Sequence, residues 1–430
     1  MKVAVIGSGP AGYYVAEGLI EQSGAGVEVD IVDRLPVPYG LVRAGVAPDH
    51  QSTKSVIRRF AALHDSPSLR FFGNLEVGRD VTIDELRQLY DAVVLATGAV
   101  DDRRLGIPGE SLAGVYGAAQ FVGWYNGHPD WVSLDPLLDT NSAVIIGNGN
   151  VAIDVARVLA KTAAEMAGSD LVDHAAGRIH ASPLREFCIA GRRGPLQVGF
   201  TPKELGELGE LADVVTTADP AQLPPPESVA AASAGLKRVL GIIEGFARRA
   251  PDPGRKRLHL EFFARPVHIL GDARVTGVQF ERTVVENGVC TGTGQLFERG
   301  CGLVVSCIGY RSQPVSGVPF DAAAGVHRNA GGVVADGLYC TGWSAHGPAG
   351  TIGSNRKEGF ELAARLALRP ATPGKKGRVG LEALTVARGI EIVDFATWRR
   401  IDAAEVAAAT PPAPRRKLVT TREMLAVARG

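Results

Sequence analysis

Two glycine turns, each placed between a short apolar run and an apolar helix, constrain this chain more than any other feature. In the first, residues 2–6 are an apolar run suited to a buried parallel strand. Gly7, Gly9 and Gly12 follow in the spacing GxGxxG. Residues 13–20 continue as an apolar helix, and residues 27–32 alternate as a second strand that ends on Asp33. The acid falls about twenty residues past the last glycine, the distance expected of a ribose-binding carboxylate. Strand, glycines, helix, strand and terminal acid in that order specify a dinucleotide-binding unit. Gly7 permits the tight turn, Gly9 lets the backbone approach a pyrophosphate, and Gly12 lets helix and strand pack closely. The anion then sits at the helix N-terminus, where free N–H groups and the dipole favour it.

The second turn repeats the pattern with a different ending. Residues 143–146 form another short apolar strand, followed by Gly147, Asn148, Gly149, Asn150, Val151 and Ala152. Alanine at the third position is allowed by the fingerprint. Residues 151–159 read as helix and residues 187–190 as the next strand. That strand ends on Arg192 and Arg193 instead of an acid. A carboxylate at this place hydrogen-bonds a free ribose 2′-hydroxyl, whereas a guanidinium pairs with a 2′-phosphate. The first turn therefore favours a dinucleotide with a free 2′-hydroxyl, and the second favours NADP. Residues 161–184 must be an insertion between helix and strand. Two such folds in one chain imply a flavoprotein that takes hydride from a nicotinamide, with FAD on the first and NADP(H) on the second.

Composition removes other classes. The chain has 430 residues, enough for about three domains or two larger ones. Lys+Arg and Asp+Glu both number 46, so the net charge is zero. This argues against gripping nucleic acid or an anionic membrane. No apolar stretch suits a transmembrane helix, so no stable membrane insertion is expected. The N-terminal run enters a glycine motif directly, so it reads as structure and not as a signal peptide. The five cysteines, Cys188, Cys290, Cys301, Cys307 and Cys340, form no CxxC. That spacing argues against a disulfide framework, a zinc ribbon or a dithiol redox centre. Inert thiols, a cytoplasmic location and no metal site are expected.

Further segments complete an α/β plan. Residues 92–99 form a buried strand ending in Ala-Thr-Gly, with residues 302–309 as its counterpart. Residues 337–343 form a strand ending near Trp343. A glycine-rich loop, residues 347–355, then enters a helix expected over 356–368. A helix N-terminus aimed at a flavin would stabilise negative charge on the reduced ring.

At this point the sequence resembles the bacterial form of the ferredoxin–NADP reductases of the adrenodoxin reductase family. The matching strings are PVPYGLVRAGVAPDH (36–50), FFGNLEVGRD (71–80), FVGWYN (121–126), GNGNVAIDVAR (147–157), GRRGPLQ (191–197) and residues 347–352, with the tail around 395–402 and 415–425. Together they span essentially the whole chain. The resemblance implies an α/β fold of two Rossmann-like dinucleotide-binding domains, with the NADP domain inserted into a discontinuous FAD domain. The expected boundaries are 1–103 and 316–430 for the FAD domain and 104–315 for the NADP domain. It implies bound FAD, NADPH as hydride donor, and a small iron–sulfur protein, a ferredoxin, as acceptor. The family's FAD contacts fall on Ala11, Asp33, Leu41, Val77, Trp343, Gly350, Thr351 and Ile352. Its NADP contacts fall on Gly149, Asn150, Val151, Arg192, Arg193, Glu204 and Gly350, with Arg103 a further candidate. Where many members carry a basic pair before the Gly-Pro of GPAG, this chain has Ala345 and His346. Docking of an acidic partner must then lean on other residues.

The implied reaction is hydride transfer to the flavin, followed by release of single electrons. His50 and Glu204 are candidates for an active-site polar pair that orients groups and handles a proton. Asp154, in the helix of the second fold, is a third candidate. A run of seven basic residues over 237–257, including Lys237, Arg238, Arg248 and Arg249, is the candidate docking strip, because opposite charge raises the encounter rate with acidic ferredoxins. The alternative is a solvated helix face. Pro224–Pro226 reads as a stiff linker and residues 420–429 as a short amphipathic helix on the FAD domain. A free reductase would be a monomer or small homo-oligomer. Competing readings are the flavoprotein subunit of a larger electron-transfer complex and a flavin-dependent monooxygenase.

Overall fold

The computed structural model describes residues 1–23 and 26–430. The chain divides into two compact units. One comprises Met1–Asp101, Asn126–Val132 and Tyr310–Gly430; the other comprises Asp102–Tyr125 and Ser133–Gly309. The divisions expected from sequence at 103/104 and 315/316 differ from these by a few residues. They also omit the segment Asn126–Val132, which belongs with the first unit.

The first unit is built on a six-stranded sheet in the order Val333–Ala335, Leu338–Cys340, Ala92–Leu95, Lys2–Ile6, Glu28–Val32, Leu69–Phe72. All neighbours are parallel except the first pair. Strands from both ends of the chain therefore meet at the junction of Ala92–Leu95 with Leu338–Cys340. The central strands carry Val, Ile and Leu almost without interruption because both faces are covered. Helix Pro10–Ser23 crosses helix Ile352–Ala367 at close range. A Cβ on Gly18 would lie 2.8 Å from Cβ of Ala363, and one on Gly359 would lie 2.8 Å from Cβ of Tyr14, so glycine at both positions sets the approach. The C-terminal helices Phe395–Ala407 and Thr421–Arg429 bury Trp398, Ile401 and Met424 in the same core as Val3, Val5 and Tyr13. Buried Asp30 accepts from Tyr90 Oη at 2.7 Å and from Arg378 Nε at 2.8 Å, which ties the second strand to the C-terminal part.

The second unit holds a six-stranded, all-parallel sheet in the order Val115–Gly117, Leu303–Ser306, Ser142–Ile146, Glu186–Ala190, Lys256–Glu261, Val214–Ala218. It also holds a three-stranded antiparallel meander, Ala264–Gly271, Val275–Glu286 and Val289–Gly300, that the sequence reading did not anticipate. The 161–184 insertion folds as two short helices, Ala163–Met166 and Asp173–His180, the first opened by a capping box from Thr162 and Glu165. Pro224–Pro226 is a helix start and not a free linker: Pro226 opens Pro226–Ala231, where a missing N–H costs nothing. Among the described residues, no helix is long and apolar enough to cross a membrane.

Candidate functional site

In the first unit, the glycine turn is backed tightly on one side and open on the other. Gly7 has φ 108°, and a Cβ there would fall 2.3 Å from the Ala96 carbonyl oxygen. A Cβ on Gly12 would fall 2.1 Å from the Gly7 carbonyl oxygen. A Cβ on Gly9 would meet nothing within 4 Å, so this is the face left for a ligand. Asp33 is fixed by its own chain. Its Oδ2 accepts from the Ser8 N–H at 2.9 Å and from Ser8 Oγ at 2.5 Å, and its Oδ1 accepts from the Leu35 N–H at 3.0 Å. Ser8, inside the glycine turn, is fully buried. Sequence reasoning missed it, although a hydroxyl in that place is the natural partner of the carboxylate.

The other residues expected to contact the flavin have separate settings. The Tyr39 N–H donates to the Ser8 carbonyl at 3.0 Å, and Gly40 takes φ 49°, where a Cβ would lie 3.1 Å from Cα of Gly9, before helix Leu41–Ala44 begins. Val77 lies beyond strand Leu69–Phe72 and bridges to Val81. Ala11 meets the turn before Trp343, where a Cβ on Gly342 would lie 2.7 Å from Cβ of Ala11. Trp343 opens helix Trp343–His346, and its Nε1 donates to the Ala349 carbonyl at 2.9 Å. Gly350 takes φ 87°, and the Thr351 N–H donates to Ser354 Oγ at 2.9 Å. This local cap starts the following helix at Ile352, four residues before the position expected from sequence. His346 Nε2 pairs with Glu358 at 3.0 Å.

In the second unit the same logic recurs. Gly147 takes φ 147° with the Cys307 carbonyl oxygen 2.4 Å from its would-be Cβ, while Gly149 faces open space. Helix Asn150–Ala160 follows, with Asn150 and Val151 in its first turn. Asn150 Oδ1 accepts from the Thr201 N–H at 2.9 Å, and Thr201 caps helix Pro202–Glu207, which carries Glu204. The glycine turn and Glu204 are thus brought together through Asn150. Arg192 and Arg193 are exposed, and neither has an acidic partner among the described residues. Arg103 lies beside the 307–309 segment, its N–H donating to the Gly309 carbonyl at 3.1 Å.

The polar candidates have different settings. His50 is buried in the first unit, just before helix Gln51–Lys54. Glu204 and Asp154 are in the second. Asp154 Oδ1 pairs at 2.6 Å with Arg157, whose side chain is 1% exposed and also meets Glu207 at 3.0 Å. Burial pushes the Cys188, Cys301 and Cys340 thiols up to about 12, far from the thiolate that redox or nucleophilic work needs.

The basic run divides. Arg255 donates to the carbonyls of Leu211, Ala212 and Val214, Lys256 Nζ donates to the Ala160 carbonyl at 2.8 Å, and Arg257 pairs with Glu186, so these three serve the fold. Lys237 and Arg238 are exposed on helix Ala234–Ala247. Arg248 pairs with Glu244 at 2.5 Å, and Arg249 stacks over the Phe246 ring at 4.9 Å.

Residues 1–190 match the family described as pyridine nucleotide-disulphide oxidoreductase. The mitochondrial NADPH:adrenodoxin oxidoreductase of Arabidopsis thaliana is 40% identical over 100% of this chain and 95% of its own length. The human counterpart is 41% identical over 99% of this chain and 91% of its own. NADPH-ferredoxin reductase FprA of Mycobacterium tuberculosis is 38% identical in its NADPH complex, with a TM-score of 0.95 over 100% of this chain and 99% of that one. The chain belongs to the adrenodoxin reductase family. Like other adrenodoxin reductase family members it is an FAD- and NADP-dependent oxidoreductase with a ferredoxin-type partner. The chain's own residues fit those groups: in each unit a cradle of backed glycines leaves one glycine, Gly9 or Gly149, open for a pyrophosphate.

Proposed function

We propose that this member of the family passes electrons from NADPH singly to a small acidic ferredoxin, docked on the exposed basic residues of the second unit. The observation that carries the reading is the pair of cradles with opposite endings, a fixed carboxylate at Asp33 and two exposed guanidiniums at Arg192 and Arg193. When bound, FAD supplies the conversion of one hydride into two single electrons. The chain's own residues bind and orient. Asp33, already held by Ser8, offers its remaining lone pairs to a ribose hydroxyl. Arg192 and Arg193 clamp a 2′-phosphate. Leu41, Val77, Trp343 and residues 350–352 line the flavin side, and Asn150, Val151 and Arg103 the nicotinamide-nucleotide side. His50 and Glu204 orient reacting groups and hold or move a proton at the imidazole nitrogen and the carboxylate. Asp154 contributes by keeping buried Arg157 in place.

The direct test is cytochrome c reduction by the purified yellow protein with NADPH, with and without ferredoxin. A large rate increase with ferredoxin is expected. No increase with several ferredoxins, alongside rapid reduction of a small dye, would remove the acceptor and favour a subunit of a larger complex. Gel filtration tests the working form, which we take to be a cytoplasmic monomer or small homo-oligomer.

Docking is tested by charge reversal. Lys237→Glu with Arg238→Glu is expected to raise the apparent KM for ferredoxin by about tenfold, through a slower encounter, and to leave dye reduction unchanged. Arg248→Glu with Arg249→Glu is expected to act in the same direction and less strongly, because Arg248 is already paired with Glu244. Equal loss with ferredoxin and dye would sink the docking idea.

A further inference from the structure

The loop carrying the two arginines is held along its length, mostly by groups outside the glycine fingerprint. The Ala264 N–H donates to the Gly191 carbonyl at 2.9 Å. Thr283 Oγ1 donates to the Arg192 carbonyl at 2.7 Å, and Cys290 Sγ donates to the same oxygen at 3.0 Å. The Phe263 N–H and Asn148 Nδ2 both reach the Arg193 carbonyl, each at 3.3 Å. Three successive carbonyls are thus pinned while both guanidiniums stay exposed.

The donors come mainly from the 264–300 meander, and the meander is shaped and clamped for the task. Phe263, which leads into it, takes φ 54°, a left-handed conformation that a bulky residue keeps only when its surroundings demand it. Its ring fills the space over Gly194, where a Cβ would lie 2.2 Å from it. The pairing of Val275–Glu286 with Val289–Gly300 shifts register between Glu281 and Thr283, the kind of irregularity that re-aims a side chain. Thr283 is buried, so its hydroxyl is dedicated to this bond and exchanges little with water. Buried Glu261, at the end of the sheet strand, receives Arg282 at 2.7 Å and also Arg299, both from the meander.

We propose that Thr283, supported by Cys290, is a positioning residue for NADP selectivity. Two donors on the Arg192 carbonyl prevent the Arg192–Arg193 peptide from rotating. The directions in which both side chains leave the loop are then set before a ligand arrives. Binding a 2′-phosphate then orders less of the protein, and preorganised guanidiniums bind more tightly than a loop that must be frozen on contact. This rests on the reading of Arg192 and Arg193 as the 2′-phosphate clamp.

The test uses the full FAD-loaded protein and calorimetry with 2′,5′-ADP, together with KM for NADPH and for NADH. Thr283→Val, nearly the same size, is expected to weaken 2′,5′-ADP and raise the NADPH KM about 3–10-fold, the worth of one neutral hydrogen bond, with the NADH KM unchanged. Thr283→Ser restores the donor and the affinity. Cys290→Ala removes the second donor from a partly exposed position, so it leaves the core intact; a smaller loss in the same direction is expected. If Thr283→Val and Cys290→Ala both keep wild-type 2′,5′-ADP affinity, or if NADH suffers as much as NADPH, positioning is overturned. Arg192→Ala with Arg193→Ala separates the two readings. If that variant also keeps its affinity, the phosphate clamp has failed and the proposal falls with it. If it loses affinity while the Thr283 and Cys290 variants do not, only the positioning role is wrong.

Discussion

Replacing Arg192 and Arg193 together by Ala is expected to raise the KM for NADPH by roughly 10²–10⁴-fold, at about 1.5–3 kcal/mol for each lost charge-assisted contact. NADH, which has no 2′-phosphate, is expected to be used as well as before. The large effect follows from the exposure of both side chains and from their having no acidic partner among the described residues. Among the described residues no carboxylate competes for them, so none is stranded by their removal. Steady-state kinetics with both nucleotides decide the matter: parallel loss for NADPH and NADH would show that the arginines do not read the phosphate.

Replacing Glu405 by Gln is expected to destabilise the first unit by about 3–5 kcal/mol, because it removes one partner of a buried ion pair and leaves the other in place. The Glu405 side chain is fully buried. It accepts from Arg43 at 2.5 and 2.8 Å, from Arg415 at 3.2 Å and from the Leu418 N–H at 2.9 Å. For a unit of this size each kcal/mol shifts Tm by about 2–4 °C, so a fall of about 6–20 °C is expected by calorimetry. Flavin retention should fall as well, because Arg43 shares helix Leu41–Ala44 with Leu41. The pH dependence has a definite sign. Burial alone would raise the Glu405 carboxyl, but Arg43 and Arg415 hold it below the usual range. Its contribution is therefore full above the ordinary glutamate pKa and is lost as pH falls through the depressed folded value. The variant should show a weaker acid-induced loss of stability than the wild type. A Tm within about 2 °C of wild type would mean that the pair contributes little to holding the unit together.

Both glycine turns, their flanking strands and the opposite strand endings were legible because each is local: the turn, helix start and acid or arginine lie within a few dozen residues. Less local features were not. Ser8 sits in the motif, but its bond to Asp33 depends on how the second strand returns to the first. In the meander after Lys256–Glu261, Val275–Glu286 mixes buried with exposed residues and Val289–Gly300 is largely exposed, so it offers no continuous apolar run to mark it. Thr283 and Cys290 reach Arg192 across some ninety residues, a distance at which one chain's pattern carries no pairing information. The basic run was legible only in part, for a related reason. Charge density is visible in sequence, but the carbonyls that absorb Arg255 and Lys256 are supplied by segments far away in the chain. The helix start at Ile352 was missed because Thr351 and Ser354 form a cap inside what reads as a glycine-rich loop.

The meeting of Ala92–Leu95 with Leu338–Cys340 has a consequence during synthesis. Residues 92–95 leave the ribosome with one edge unpaired, and their partner follows some 240 residues later, about 10–50 s at ordinary elongation rates. Through that interval the nascent chain displays a buried-type strand edge, rich in valine, as a ready template for another chain. The second unit, nearly contiguous in sequence, can complete its own sheet while the first waits. A chaperone that holds the N-terminal hundred residues should therefore raise the yield of yellow protein, and a chain cut before residue 338 should aggregate rather than persist as a soluble fragment.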